Sequence, residues 1–390
     1  MKKIFTIMAA ALIGMTSLTS CQEDLTKADP VVRYIRPCDP AMGDMLLMEV
    51  SMGSTVAIVG EGLGDVCKIW FNDCEAQLNP TLITPTSIIV TVPSNMPTEF
   101  TNVMTLETST GKRTEYPVSV IMPSPSIEWI ECLYATEGSE LKIHGNYFFP
   151  IEETGTVNVT FPGNLPAEVK SVTSELITCI VPAGASETSG SLTIESEFGR
   201  TRTTQIWRTT EGMFETFENE DNLPWSKANL QSEGGCSGSY HYIHSTFDPG
   251  QWPYIDLIWD NPEGIALITE GEASEYAFSF EFCGTEMGGY AIKMGFQKEW
   301  GSDGIGSDFR GLTGGYYFFD PGEGEYEDGR WYTVTVPLED FCRNADNNDD
   351  VAPISKIGEM VNFTAVTYCY GEDGGVVDLK FDNFRIVRIN

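Results

Sequence analysis

The feature that most constrains the fold is an internal repeat between about residues 30 and 209. Gly53-Ser54-Thr55-Val56-Ala57-Ile58-Val59-Gly60 aligns with Gly138-Ser139-Glu140-Leu141-Lys142-Ile143-His144-Gly145 at an offset of 85. Cys67, Ile69 and Phe71 match Val157, Val159 and Phe161 at an offset of 90. Ile88, Val90, Val92 and Pro93 then match Ile177, Cys179, Val181 and Pro182 at an offset of 89. Every matched run alternates apolar with polar residues, the period of a strand with one buried face. Ser109 to Gly111 and Ser196 to Gly199 supply a turn before the last strand of each copy. Short alternating runs repeated every 85–90 residues predict two tandem sandwiches of immunoglobulin type. The repeat also places Cys67 in the slot of Val157 and Cys179 in the slot of Val90, so both are expected as buried small hydrophobes. Pairings of other cysteines, Cys38 or Cys74 for instance, stay open, because spacing does not give connectivity.

Composition matters next for what it excludes. The chain carries 57 acidic against 23 basic residues, a formal net charge of −34. Such a field repels phosphate backbones and anionic membrane surfaces, so no nucleic-acid partner is expected. None of the ten cysteines forms a CxxC pair or a Cys/His cluster, which argues against a zinc module. No metal or other cofactor is expected. At the start, Met1-Lys2-Lys3 precedes a mostly apolar stretch, Ile4 to Leu18, with the length of a signal-peptide core and not of a membrane span. It ends in Leu18-Thr19-Ser20-Cys21, which resembles the lipobox of bacterial lipoproteins, where the cysteine thiol is lipidated. Gln22-Glu23-Asp24 follows and resembles the surface-export signal of outer-membrane lipoproteins. A soluble anionic body held by acyl chains on Cys21 is the expectation.

From about residue 210 the composition changes. Residues 210–390 hold 30 of the 44 aromatic residues, five of the eight tryptophans, and a net charge of −23. Ala277 to Phe282, Ala291 to Phe296, Trp331 to Val336 and Leu379 to Val387 read as strands. One larger β-sandwich of about 180 residues fits this segment. The expected organisation is therefore all-β: 1–20 signal peptide, 21–30 lipidated linker, 31–123 and 124–209 immunoglobulin-like domains, and 210–390 a jelly-roll-like sandwich.

Several stretches carry a family resemblance. The pattern G-x-x-v-x-I-x-G, a strand centred on Phe, and then I-x-V-x-V-P resembles the transcription-factor-type immunoglobulin domains called IPT/TIG. Arg36-Pro37-Cys38-Asp39-Pro40-Ala41, Ile69-Trp70-Phe71-Asn72-Asp73 and Leu78-Asn79-Pro80-Thr81 resemble the surface glycan-binding lipoproteins encoded in polysaccharide-utilisation loci. Gly329-Arg330-Trp331 through Phe341 and the closing Phe381-Asp382-Asn383-Phe384-Arg385-Ile386 resemble jelly-roll carbohydrate-binding modules. Phe214-Glu215-Thr216-Phe217-Glu218 is also usual at the start of the family's last domain. The resemblance covers essentially the whole chain. It implies that the tandem domains act as spacers and that the last domain grips a polysaccharide.

Sugars are neutral polyols with apolar C–H faces, so a binding surface needs exposed flat aromatics rimmed by amides, carboxylates or Arg. Trp300 lies in a polar Gly-rich loop, Gln297 to Gly304, and is the first candidate. Alternation along Tyr316-Tyr317-Phe318-Phe319 sends one pair to the core and the other outward. Tyr316 and Phe318 are taken as the outward pair, because the resembling family tends to place aromatics there. Asp308 and Arg310 are near enough in sequence to bind hydroxyls. Trp252 and Tyr254, around Pro253, form a second candidate platform, and Trp225 a weaker third. Trp259 and Trp331 lie inside alternating runs and read as core. His241 and His244 read as part of a Tyr- and Gly-rich connecting loop. Asp346-Asn347-Asn348-Asp349-Asp350 has oxygen ligands for calcium but lacks the EF-hand Gly and Glu, so a solvated acidic loop is expected. The acidic stretches Glu215 to Asp221 and Glu323 to Asp328 read as solvated loops too.

Two function classes follow. The first is a non-catalytic polysaccharide-binding lipoprotein that passes its ligand to a neighbouring hydrolase and outer-membrane importer. β-Glucans such as laminarin or mixed-linkage glucan, or xyloglucan, are the ligands the resemblance implies. The second is a glycoside hydrolase built on a jelly-roll sheet, which needs two carboxylates flanking the scissile bond. No E-x-D-x-x-E run occurs, nor G-x-S-x-G, H-E-x-x-H or a nucleotide loop. The expectation is a binder and not an enzyme, with neutral glycans favoured over uronate-rich ones by the charge.

Overall fold

The computed structural model describes residues 29–223, 229–248, 256–259, 272–286, 290–297, 314–321, 326–344, 346–354, 357–360, 362–369 and 375–389. Every regular element among them is a β-strand or a single 3-10 turn. The chain divides into two compact units, the first ending at Pro123 and the second beginning at Ser124. Cys21 lies outside the described residues.

The first unit is a sandwich. One sheet orders Val31–Pro37, Thr55–Glu61 and Ser87–Thr91; the other orders Cys74–Glu75, Val66–Phe71, Val103–Thr108 and Arg113–Pro117. The second unit opens with the same arrangement. Ser126–Ile130, Glu140–Asn146, Leu176–Ile180 and Glu168–Val172 form one sheet, and Leu165–Pro166, Asn158–Phe161, Thr193–Ser196 and Gly199–Arg202 the other. The repeat seen in the sequence is thus a repeat of strand order. Its two glycines per copy have separate causes. Gly53 and Gly138 turn the chain at φ +71° and +79°, a left-handed conformation that favours glycine. Gly60 and Gly145 instead lie under a bulge in the first strand of each domain, between Val32 and Tyr34 and between Ile127 and Trp129. A Cβ there would meet the carbonyl oxygen of Val31 at 1.9 Å or Ser126 at 2.0 Å.

Cys179 is fully buried, as the repeat predicts. Cys67 is not. A register shift between Val66 and Lys68 buries Val66 in the slot that Val157 fills in the second copy and leaves Cys67 exposed. Cys38 and Cys74 are free thiols.

The remainder of the second unit is a larger antiparallel sandwich. Its six-stranded sheet runs Leu230–Gln231, Tyr240–Phe247, Gly375–Arg388, Tyr276–Glu286 and Trp331–Pro337, with Met213–Glu215 pairing onto the long closing strand. The facing four-stranded sheet runs Asp256–Trp259, Asn362–Cys369, Tyr290–Gln297 and Tyr317–Phe319. Phenylalanines fill the space between them, among them Phe278, Phe280, Phe282, Phe296, Phe363 and Phe384. The closing motif Phe381-Asp382-Asn383-Phe384-Arg385 explains itself here. Asn383 takes φ +54°, an irregularity that lets Phe381 and Phe384, three apart, both enter the core while Asp382 and Arg385 turn away from it.

His241 and His244 lie on the strand Tyr240–Phe247, not in a connecting loop. His241 is fully buried, and burial pulls its imidazole down to about 3; His244 is exposed and meets Asp378 at 3.1 Å. Glu215 is likewise buried, not solvated. It accepts a bond from the Phe217 N–H at the point where the chain enters the sandwich. Trp331 does not belong to the phenylalanine core. It is half-buried and packs on the apolar cluster of the preceding immunoglobulin-like domain, together with Met213 and Cys236.

That contact is part of an extensive seam inside the second unit. Arg385 and Glu281 are both fully buried and paired, with guanidinium nitrogens 2.7 and 2.8 Å from the two carboxylate oxygens. Thr333 donates its hydroxyl to Glu281 at 2.7 Å and accepts the Leu133 N–H at 2.7 Å. Tyr134 lies between the Arg385 and Arg208 guanidinium groups, 5.1 and 5.2 Å from its ring centre. Such stacking on a desolvated ring is worth up to about 2 kcal/mol. Lys142 and Arg330 bridge Glu131 and Glu327 at the edge.

Candidate carbohydrate-binding face

Strand pairing fixes the outward face of the four-stranded sheet. Ile292 lies opposite Phe319 and Met294 opposite Tyr317, whereas Lys293 lies opposite Phe318. Directly opposed residues of an antiparallel pair share a face. Ile292, Met294 and Phe319 are core residues and Tyr317 packs against them. Lys293, Phe318 and Tyr316 therefore point away from the core. The rings of Tyr316 and Phe318 sit 6.3 Å apart, edge to face, and the Lys293 ammonium lies 4.9 Å from the centre of the Tyr316 ring. Burial pulls that ammonium below the ordinary lysine value, while the Asp346 charge opposes the shift. Tyr316 is 4% exposed, and Phe318 keeps more of its surface open.

Two glycines make this placement possible. Gly314, at φ +86°, comes so close to Ile354 that a Cβ would lie 2.5 Å from its backbone nitrogen. A Cβ on Gly315 would lie 2.7 Å from the Arg343 carbonyl oxygen. The close approach lets Tyr316 and Arg343 exchange both backbone bonds, at 2.8 and 3.0 Å. Arg343 in turn organises the acidic loop after it. Its guanidinium reaches the Asn347 side chain at 2.8 Å, the Asn347 carbonyl at 2.6 Å and Asp350 at 2.6 Å. Asn344 accepts the Asn348 N–H at 3.1 Å. The Asp346–Asp350 loop is thus held by an internal cation and side-chain amides. Groups of metal-ligating residues do not occur among the described residues.

Trp300, Asp308, Arg310, Trp252, Tyr254 and Trp225 lie outside the described residues. Trp259 lies on the strand Asp256–Trp259. On the immunoglobulin-like domain of the second unit, Trp129 is 42% exposed and stacks flat on His144 at 3.9 Å. Sequence reading passes over it, because the bulge beside it that turns it outward leaves no mark in the alternation.

The fold and this face define a class: immunoglobulin-like domains followed by a two-sheet antiparallel module with aromatics on its outer face. Comparison with known proteins makes the assignment specific. Residues 207–388 match the family described as the surface glycan-binding protein B xyloglucan binding domain, and residues 125–204 the IPT/TIG domain. Each match covers less than half of the chain: the carboxy-terminal module is similar to the first family and the domain before it to the second. An IPT/TIG domain-containing protein of Bacteroides ovatus is 30% identical over 176 residues, 43% of this chain and 36% of that protein. The match thus spans about a third of the relative's length. The surface glycan-binding protein PbSGBP-B of Prevotella bryantii superposes with a TM-score of 0.72 at 23% identity, covering 93% of this chain and 99% of its own. SGBP-B from a complex xyloglucan utilization locus in Bacteroides uniformis gives 0.53 at 18% identity, covering 93% and 100%. At these identities the likeness is one of fold.

Proposed function

We propose that the protein is a non-catalytic, cell-surface polysaccharide-binding lipoprotein that captures a neutral glucan on the outer face of its carboxy-terminal module. The observation that supports this reading is the sorting of residues 317–319: Tyr317 and Phe319 pack on the core, while the partly open Phe318 shares the opposite face of the sheet with Lys293, in a segment that matches the surface glycan-binding protein B xyloglucan binding domain. Trp300, Trp252 and Tyr254 complete the aromatic platform, and Asp308 and Arg310 supply hydroxyl contacts. Acyl chains on Cys21 hold the chain at the outer membrane, the immunoglobulin-like domains of residues 31–123 and 124–209 act as spacers, and the captured chain passes to a neighbouring surface hydrolase and importer. Xyloglucan, mixed-linkage glucan and laminarin are the candidate ligands. A net charge of −34 disfavours uronate polymers through like-charge repulsion.

The buried carboxylates argue for binding over hydrolysis. A glycosidase needs a protonated acid and a second carboxylate open to the substrate. Asp382 has the raised value of such an acid, pushed up to about 7 by burial, and lies opposite Glu281 in the strand register. Yet Glu281 is fully buried and both its oxygens are held by Arg385. The Cys236 thiol and the Ser237 hydroxyl both donate to one Asp382 oxygen, Oδ2, at 3.2 and 2.9 Å. The pair is sealed in the seam with the preceding domain. Incubating the protein with xyloglucan, mixed-linkage glucan and laminarin should retard it in affinity gels and release no reducing ends; turnover of any of the three would establish the hydrolase instead.

A further inference from the structure

Both immunoglobulin-like domains open with a strand that bulges at the same place, and an aromatic residue follows the bulge in each. In the first domain it is Tyr34, opposite Val59; in the second it is Trp129, opposite His144. The next residue, Ile35 or Ile130, is buried, so alternation turns the aromatic ring to the outer face of its sheet. Opposed residues share a face, and the residue beside the ring therefore decides what the ring can do. The two copies diverge here. Around Tyr34 the bulged Arg33 pairs with Glu61, and Val59 offers no hydrogen bond. Around Trp129 the bulged residue is Glu128, and Asn146 stands in the slot of Glu61 and donates to Glu128 Oε1 at 2.9 Å. His144 takes the slot of Val59 and stacks on the indole, with ring centres 3.9 Å apart and planes 5° apart.

Trp129 is still 42% exposed. His144 covers one face of the indole, so the open area lies on the other face and the rim. The stack also fixes the ring, which spares a ligand the cost of ordering it. Hydrogen-bonding groups surround this fixed ring. Neither ring nitrogen of His144, nor the Trp129 indole N–H, nor Glu128 Oε2 has a partner among the described residues. Burial pulls the imidazole below its ordinary value, Lys142 adds to that and Glu128 opposes it. At neutral pH the imidazole is therefore uncharged, with one nitrogen donating and the other accepting. These groups select the ligand. An anion meets the Glu128 carboxylate, and a wholly apolar ligand strips water from polar groups without replacing it. A pyranose sets its C–H face on the indole and offers hydroxyls, which both donate and accept, to the imidazole, the amide and the carboxylate.

We propose that Trp129, His144, Asn146 and Glu128 form a second glycan site, on the immunoglobulin-like domain itself, that stacks a pyranose unit of a neutral glycan. That domain is then a contact as well as a spacer, within the same compact unit as the carboxy-terminal module. The inference rests on the proposed function only for the class of ligand; the residues and their geometry are independent of the carboxy-terminal face. A polysaccharide long enough to engage both places gains avidity without any new contact at either.

The chain has three histidines, so magnetic resonance of the full chain labelled with ¹⁵N-histidine reads this site directly. The probes are cellotetraose, laminaritetraose and xyloglucan heptasaccharide, titrated at neutral pH. The ring signals of His144, assigned through His144→Gln, should move saturably with at least one probe, while those of the buried His241 stay in place. Trp129→Ala, at an exposed position, should weaken the binding read at His144 at least five-fold, and Trp129→Phe should keep most of it. Trp300→Ala should leave it unchanged. His144 signals that move with none of the probes, while affinity gels still show the chain binding a glucan, overturn the second site alone. A shift that survives Trp129→Ala, or that Trp300→Ala abolishes, overturns it as well. No shift and no retardation in the gels overturn both this site and the proposed function.

Discussion

The buried pair at the seam gives the sharpest quantitative prediction. Glu281 and Arg385 are both 0% exposed, and Glu281 accepts two charged bonds from Arg385 and one from Thr333, all between 2.7 and 2.8 Å. Glu281→Gln keeps the shape but removes the charge, so it leaves a guanidinium buried without a counter-ion and with fewer acceptors. Breaking one side of such a pair costs about 3–5 kcal/mol. Replacing both partners by methionine removes two desolvated charges together and should be far milder, since apolar replacement of whole buried pairs is often neutral or stabilising by about 1–4 kcal/mol. Thr333 and Leu133 would keep their mutual bond in the double variant. Urea unfolding of the three proteins, followed by tryptophan fluorescence and far-ultraviolet circular dichroism, reads both numbers. A single variant costing less than about 1 kcal/mol, the size of an exposed pair, would refute the claim that these two charges are desolvated and mutually dependent.

Three further outcomes follow from the same geometry. Gly145→Ala should destabilise the second unit by about 1–3 kcal/mol or more, the cost of overpacking, because its Cβ would meet the Ser126 carbonyl oxygen at 2.0 Å; an unchanged denaturation midpoint would contradict the bulge assignment. Asp382 and His241 should pull stability in opposite directions with pH. Asp382 binds its proton more tightly folded than unfolded, at about 7 against 3.8, so its contribution is complete at low pH and is lost as pH rises through 7. His241 is held neutral, at about 3 against 6.5, so its contribution is present above 6.5 and is lost as pH falls towards 3. Asp382→Asn should therefore make stability rise more steeply between pH 4 and 7 than in the parent, in urea midpoints measured across that range. Trp300→Ala should weaken glycan binding roughly two- to ten-fold, from about 0.5–1.5 kcal/mol per stacked ring, with calorimetry as the readout.

The sequence showed the architecture where period-2 alternation was clean. The repeated strands of both immunoglobulin-like domains and the runs around residues 277–282, 291–296, 331–336 and 379–387 are strands in the structure. It failed where one residue breaks the alternation. The shift at Cys67 moved burial to Val66, and a matched alignment cannot show a bulge. It failed also where burial comes from a neighbouring domain. Trp331 alternates like a core residue of its own sandwich, yet its partner surface belongs to the domain before it. Glu281 and Asp382 read as ordinary polar positions, because nothing local says that another domain covers that sheet, whereas His241, opposite Phe381 in the register, is buried in its own sandwich beside Phe217. At the outer face, alternation proved that residues 316 and 318 differ from 317 and 319, and the strand register was needed to say which pair serves the core. The role of Gly314-Gly315 was invisible, since the close approach to Ile354 and Arg343 spans about thirty residues and more of sequence.

The central claim is capture of a neutral glycan by an anionic surface protein, and one measurement tests it most directly. A glycan array probed with the full chain, carrying xyloglucan, mixed-linkage glucan and laminarin beside polygalacturonate, should show binding to at least one neutral glucan and none to the uronate polymer. Binding confined to polygalacturonate, or to no polysaccharide at all, would contradict it.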